Sequence, residues 1–285
     1  MKNLSHKFFI VAVLFFGLFG CESKKEPSLN MDNYFAWCIV PFDSTNRTPT
    51  QRIEMLKELG FKSYAYDWRQ KHLPEMKEEF TLAAQNDIDV MAVWMWIDIA
   101  DSVGRLSPDN ERIFGIMKET GIKTQLWIGI SEAYFEGLTE DESMLKAMEM
   151  VRYLSERSAE IGCKIGLYNH GGWFGDPINQ VTLIKTMPEQ DLGIIFNFHH
   201  AHELLDEYPV IVEKMMPYLW AVNLNGMKAG GPKILPIGAG DLETRMIRQL
   251  KEAGYKGPYG ILGHVEEADV KIILQRNLAG VKSIM

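Results

Sequence analysis

DNERIFGIMKETGIKTQLWIGI, residues 109–130, is the stretch that decides the fold. Its first part, 109–120, repeats apolar residues at the three- and four-residue spacing of an amphipathic helix. Gly121 then stands just past the helix, where a left-handed residue is wanted. Residues 124–130 follow as an apolar run of strand length. The same helix–glycine–strand punctuation recurs at Leu59-Gly60, Ile161-Gly162 and Ala253-Gly254.

Extending this reading along the chain predicts eight strands, at 35–40, 62–67, 89–96, 124–130, 164–169, 192–198, 219–224 and 259–263. Amphipathic stretches lie between them, among them 50–59, 109–120, 141–161, 204–216 and 242–253, and 268–279 closes the chain. Eight strands each followed by a helix is the count of a single (βα)8 barrel, spanning 34–285. A doubly wound open sheet gives a similar alternation, and periodicity does not separate the two.

The first twenty residues are set apart from the fold. Lys2 and Lys7 precede a twelve-residue apolar run, 8–19, too short to span a bilayer, and the segment reads as a secretion signal. Leu18-Phe19-Gly20-Cys21 resembles a bacterial lipobox, in which the cysteine is acylated and becomes the new N-terminus. Residues 1–20 are therefore expected to be a lipoprotein signal and 21–33 a polar tether from lipidated Cys21. The expected location is the bacterial cell envelope, periplasmic or outer-membrane face, with the membrane reached through the lipid alone.

Without Lys2 and Lys7 the formal charge of −8 becomes −10. An acidic chain repels phosphate backbones, so nucleic acid is an unsuitable partner. Cys38 and Cys163 lie 125 residues apart in apolar contexts and are expected to be free buried thiols.

In an α/β barrel the reactive groups gather where strands end. Of the six histidines after residue 21, five fall just beyond strands: His170, His199, His200, His202 and His264. Asn169, Asn197, Asn223 and Asn225 end strands in the same way. Trp68, Trp94, Trp96, Trp127 and Trp173 sit in or just past strands two to five. Core packing accounts for a strand tryptophan; on the rim, such rings offer apolar platforms to the C–H faces of a sugar. Glu132, Asp67 and Asp98 are the carboxylates placed to act as base or acceptor. The loop 226–240 is glycine-rich and leads to Asp241, a candidate N-cap. It suits either phosphate at a helix N-terminus or a mobile cover over the cavity, with Lys228 or Lys233 supplying charge. Its spacing is no nucleotide-binding pattern.

From about residue 34 onward the chain resembles the xylose isomerase-like barrels, the group known as sugar phosphate isomerase/epimerase-like. The resemblance is carried by Gly166-Leu167-Tyr168-Asn169-His170-Gly171-Gly172, Phe196-Asn197-Phe198-His199-His200, Ala221-Val222-Asn223-Leu224-Asn225-Gly226, Ile237-Gly238-Ala239-Gly240-Asp241 and Gly260-Ile261-Leu262-Gly263-His264. Such proteins usually hold a divalent metal with Glu, Asp, His and Glu after strands five to eight. Here Tyr168, Asn197, Asn223 and His264 stand at those positions, while His170 and His200 match the accompanying histidines. Three carboxylates are lost, which disfavours Mg²⁺ and Mn²⁺. The resemblance then implies either metal-free chemistry or one zinc-like ion on His170, His200 and His264.

The implied activity is proton transfer next to a sugar carbonyl: isomerisation, epimerisation, or elimination from a keto-sugar. His170 and His200 are the expected acid and base, with Glu132 a further catalytic candidate. Trp94, Trp96, Trp127, Asn169, Trp173, Asn197, Asn223, Lys233 and His264 are the expected substrate contacts, and the partner is a small carbohydrate. A non-catalytic sugar-binding lipoprotein on a degenerate barrel is the alternative.

Overall fold

The computed structural model describes residues 29–285. The expected secretion signal and Cys21 lie outside the described residues. Met31–Asn33 make one 3-10 turn that leads into the first strand.

The strands are β1 (Tyr34–Trp37), β2 (Ser63–Tyr66), β3 (Asp89–Ile97), β4 (Gln125–Ile130), β5 (Lys164–Tyr168), β6 (Leu192–Asn197), β7 (Leu219–Leu224) and β8 (Tyr259–Leu262). The helices are α1 (Pro49–Glu58), α2 (Leu73–Gln85), α3 (Pro108–Thr120), α4 (Glu140–Glu160), α5 (Gly172–Gly175), α6 (Pro177–Thr186), α7 (Tyr208–Met215), α8 (Glu243–Glu252) and α9 (Val270–Ile284). All strand pairings are parallel and follow chain order, and β1 pairs with β8 to close the barrel. Closure excludes the open-sheet reading. Among the described residues no helix is long and apolar enough to cross a membrane.

Local chemistry sets the boundaries. Thr48 and Thr139 cap α1 and α4 through reciprocal boxes with Gln51 and Glu142. Gly121 ends α3 at φ 67°, a left-handed conformation that costs a residue with a Cβ far more. β1 stops at Trp37, short of the expected 35–40, because Cys38 turns to φ 57° and carries the chain outward.

Strand alternation sorts the buried side chains into two cores. One lies between sheet and helices and includes Tyr64, Val93, Leu126, Ile128, Leu167 and Phe196. The other fills the barrel and contains Phe35, Trp37, Ala65, Trp127, Tyr168 and Ile195. Barrels are commonly filled by layers of Val, Ile and Leu. This one packs a few large rings, and glycines make the room. A Cβ on Gly129 would come within 2.7 Å of Trp96, one on Gly166 within 3.0 Å of Trp127, and one on Gly193 within 2.0 Å of Trp220.

This packing predicts a specific coupling. Gly193→Ala should lower stability by about 1–3 kcal/mol through overpacking, and should be close to neutral in a Trp220→Ala background. Denaturant unfolding of the four proteins in this cycle measures it; additive effects would contradict the account.

Candidate active site

The C-terminal ends of the strands bring the chemistry to one end of the barrel. Asp67 immediately follows β2, Tyr168 and Asn197 are the last residues of β5 and β6, and Leu262 ends β8. His170 and His264 stand two residues past β5 and β8, and the 3-10 turn Phe198–His200 carries His199 and His200. These residues, with Trp37, Cys38, Phe42, Arg69 and Trp94, line a cleft of about 110 Å³, partly open to solvent.

Tyr168 forms its floor. The ring is buried between Trp94, at 4.7 Å between centroids, and Trp37, at 5.8 Å. Its hydroxyl oxygen accepts from Trp37 Nε1 at 3.1 Å and from Asn197 Nδ2 at 2.5 Å. Burial raises the pKa of this phenol strongly, so it stays protonated.

Four imidazoles stand above the floor. Ring centroids of His170 and His200 are 4.3 Å apart, His199 and His200 4.6 Å, and His199 and His264 5.5 Å. Phe42 packs on His264 at 3.6 Å. Burial, then mutual repulsion of the rings, pushes His200 down to about 2. Burial pushes His264 down to about 4, outweighing the opposing pull of Glu266 at 3.5 Å. His199 and His170 are lowered for the same first reason. His170 keeps one side exposed while the other faces His200, Trp94 and Trp96. At neutral pH the cluster is uncharged.

Asp67 is the carboxylate in the cleft lining. It is 2% exposed, Oδ1 accepts from the Val40 N–H at 3.3 Å, and Oδ2 is buried without a partner. Burial pushes it up to about 7 against the pull of Arg69 and Arg52.

Several expected contacts lie elsewhere. Glu132 is exposed on the rim against Gly172, outside the cleft lining. Asp98 is exposed and accepts the Ile99 N–H. Trp127 is fully buried in the barrel, its Nε1 on Gln125 Oε1, because it lies one layer below the rim. Trp173 points away, packing on Phe135 and donating to Glu140. Asn169 is buried with its amide committed to the Asn197 backbone, accepting at 2.7 Å and donating at 3.1 Å. Asn197 likewise spends Oδ1 on the His199 N–H and Nδ2 on Tyr168. Trp96 is half-buried behind His170. Asn223 is buried, both amide atoms without partners, in space kept by Gly260. Phe42 and Arg69 were not among the expected site residues, and Cys38 was expected only as a buried free thiol, which it is; only Arg69, two residues past strand-end Asp67, carried a positional signal.

The glycine-rich loop is neither a phosphate cradle nor a loose cover. Glu243, 1% exposed, accepts from the Met227, Gly238 and Gly240 N–H groups at 2.9–3.0 Å. A carboxylate of the chain thus occupies the place an anion would take. Asp241 is no N-cap, since α8 starts at Glu243. The Lys233 carbonyl, reached by Asn225 Nδ2 at 2.6 Å and His199 Nδ1 at 3.2 Å, fixes the loop, while its ammonium is exposed.

The family's metal position does not fit a hard divalent ion. The Tyr168 oxygen has both lone pairs directed at N–H donors, Asn197 Oδ1 is used, and Asn223 offers a neutral dipole. Among the described residues no three His, Cys, Asp or Glu side chains are grouped to hold a metal ion.

Searches place the fold. The barrel is similar to the Escherichia coli 3-keto-D-glucoside 4-epimerase, with TM-score 0.62 and 16% identity over 89% of this chain and 99% of that one. It is similar to a D-psicose 3-epimerase solved with D-tagatose, from Clostridium cellulolyticum H10, with TM-score 0.60 and 12% identity over 88% and 97%. The IolI protein with a bound zinc atom gives TM-score 0.66 and 13% identity over 88% and 97%. The fold is that of the xylose isomerase-like TIM barrels. No protein-family model matches the sequence, and no curated protein does.

The buried imidazoles predict how acid acts on stability. His200 is lowered to about 2 when folded, against about 6.5 unfolded, so between those values the unfolded chain takes up the extra proton. Its contribution therefore weakens as pH falls from 6.5. The stability difference between the parent and His200→Gln should shift against the parent by up to about 1.4 kcal/mol per pH unit below neutrality. Urea unfolding at several pH values checks this, and parallel pH profiles would contradict it.

Proposed function

We propose that the chain is a carbohydrate-active enzyme that moves a proton on the carbon next to a sugar carbonyl, as in isomerisation, epimerisation or elimination from a keto-sugar. The observation that carries this reading is one cleft at the C-terminal barrel end, walled by Trp37, Trp94 and Phe42 and edged by four imidazoles. The similarity to a 3-keto-D-glucoside epimerase and a D-psicose epimerase supports it.

In this reading the aromatic walls take the apolar faces of the sugar ring. His170, partly exposed to solvent, accepts the proton from carbon. Buried His200 is too weak a base for that step. It and His264 serve as neutral N–H donors to sugar hydroxyls and to the carbonyl oxygen. Free sugars or keto-glycosides suit the site better than sugar phosphates, because Glu243 fills the anion position of the β7–α8 loop. The chemistry needs no divalent ion on the Tyr168, Asn197 and Asn223 positions.

The test is hydrogen exchange. With EDTA present, the protein in D₂O should wash deuterium into the carbon beside the carbonyl of a 3-keto-glucoside, D-fructose or D-tagatose. His170→Ala and His200→Ala should each slow this by about 100-fold or more. Binding without exchange would instead indicate a sugar-binding protein. Loss on chelation, with restoration by zinc alone, would place an ion on His170, His200 and His264.

We further propose that Cys21 carries a lipid anchor that holds the barrel at the cell envelope. The lipobox-like Leu18-Phe19-Gly20-Cys21 supports this. Cys21→Ser should release the protein from washed membranes; equal retention would refute it.

A further inference from the structure

The proton-transfer reading leaves one requirement unmet. When a base removes the proton beside a carbonyl, the C–H electron pair becomes a C=C bond and the carbonyl π pair moves to oxygen. That oxygen is best neutralised by a proton. A neutral imidazole such as His200 or His264 offers a hydrogen bond but does not surrender its N–H near neutrality. The Tyr168 hydroxyl is held by two donors and stays protonated.

We propose that Asp67, as a neutral carboxylic acid, is the group that gives its proton to the substrate's carbonyl oxygen and later takes it back. The proposal rests on the proton-transfer reading of the same cleft. Three observations carry it. Asp67 sits directly after β2 and lines the same cleft as His170. It is the one carboxylate among the lining residues. Its Oδ1 is fixed by the Val40 N–H, while Oδ2 is buried with no protein partner. An orphaned buried oxygen beside a cavity is costly unless something in the cavity meets it.

The groups around Asp67 agree with a neutral acid. Trp37 and Phe42 form an apolar surround from β1 and the segment after it, and the Cys38 thiol beside Asp67 is kept protonated by burial and by that carboxyl. Arg69 is exposed, its guanidinium 5.2 Å above the Phe42 ring rather than paired with Asp67. Arg52, from α1, is bound to Glu79. Neither cation neutralises the carboxylate, and burial pushes Asp67 up to about 7. The step balances: His170 takes the carbon-bound proton, the oxygen takes Asp67's, and the products are an enediol, an imidazolium and a carboxylate. Return of a proton to either carbon, with Asp67 reprotonated by the enediol hydroxyl, restores both groups.

The sign of the pH dependence follows. The acid form is lost as pH rises through about 7, so exchange should fall on that alkaline side. The test uses the full-length protein and a 3-keto-glucoside in D₂O. Asp67→Asn should keep binding the probe and slow exchange by about 100-fold or more, and the alkaline limb should disappear from its pH profile. Asp67→Glu should restore part of the rate. Infrared difference spectra of parent against Asp67→Asn, without sugar, should show a protonated carboxyl band that titrates near neutrality. Exchange by Asp67→Asn at the parental rate, or absence of that band at acid pH, would overturn this inference alone. A parent that exchanges with no keto-sugar probe would overturn the proton-transfer reading together with it.

Discussion

The hydroxyl of Tyr168 accepts hydrogen bonds from Trp37 across the barrel and from Asn197 on the neighbouring strand, and the site is built on that junction. Each bond is worth about 0.5–1.5 kcal/mol net, but leaving the buried oxygen unpaired would cost more. The junction joins β1, β5 and β6 at one level of the barrel. It also fixes the heights at which Trp94 packs on the floor and His200 packs over it, 5.8 Å from the Tyr168 ring. The glycines opposite the large rings serve the same end, since any Cβ at Gly166 or Gly260 would meet the rings or amides that shape the floor.

Tyr168, Asn197 and Asn223 make the end of the barrel a place of dipoles rather than charges. Imidazoles buried there lose solvation, and exposed Glu266 beside His264 does not outweigh that loss, so they stay neutral. Asp67 obeys the same rule with the opposite sign: burial without a paired cation favours its proton. A single physical cause, desolvation, therefore produces both a neutral base and a neutral acid in one cleft. Glu243 spends its own charge on three N–H groups of the 226–240 loop.

The architecture was legible because helix ends and strand starts are local. Gly60, Gly121, Gly162 and Gly254 all adopt the positive φ expected of them. The crowding of histidines and asparagines at strand ends was legible for the same reason, since position along a strand fixes which end of a barrel a residue meets. Depth and partnership were not. Trp94 and Trp127 occupy similar sequence contexts, yet one reaches the cleft and the other sits a layer below it. Asn169 looks like a ligand until its amide is found tied to a strand 28 residues away. Glu132 stands outside the cleft lining because the short turn Glu132–Phe135 buries Tyr134 and Phe135 and leaves the carboxylate exposed. Asp67 was visible only as one of three strand-end carboxylates; the apolar surround that distinguishes it comes from residues 37–42, brought there by barrel closure.

The central claim is that the cleft is an uncharged imidazole site that stands without a bound cation. Nitrogen-15 NMR of histidine-labelled protein near pH 5.5, where a free imidazole of pKa about 6.5 is mostly protonated, addresses it most directly. The account predicts that His200 and His264 each show one protonated and one bare ring nitrogen at that pH, unchanged by EDTA. Imidazolium shifts for both residues, or a metal-bound nitrogen shift that disappears on chelation, would contradict it.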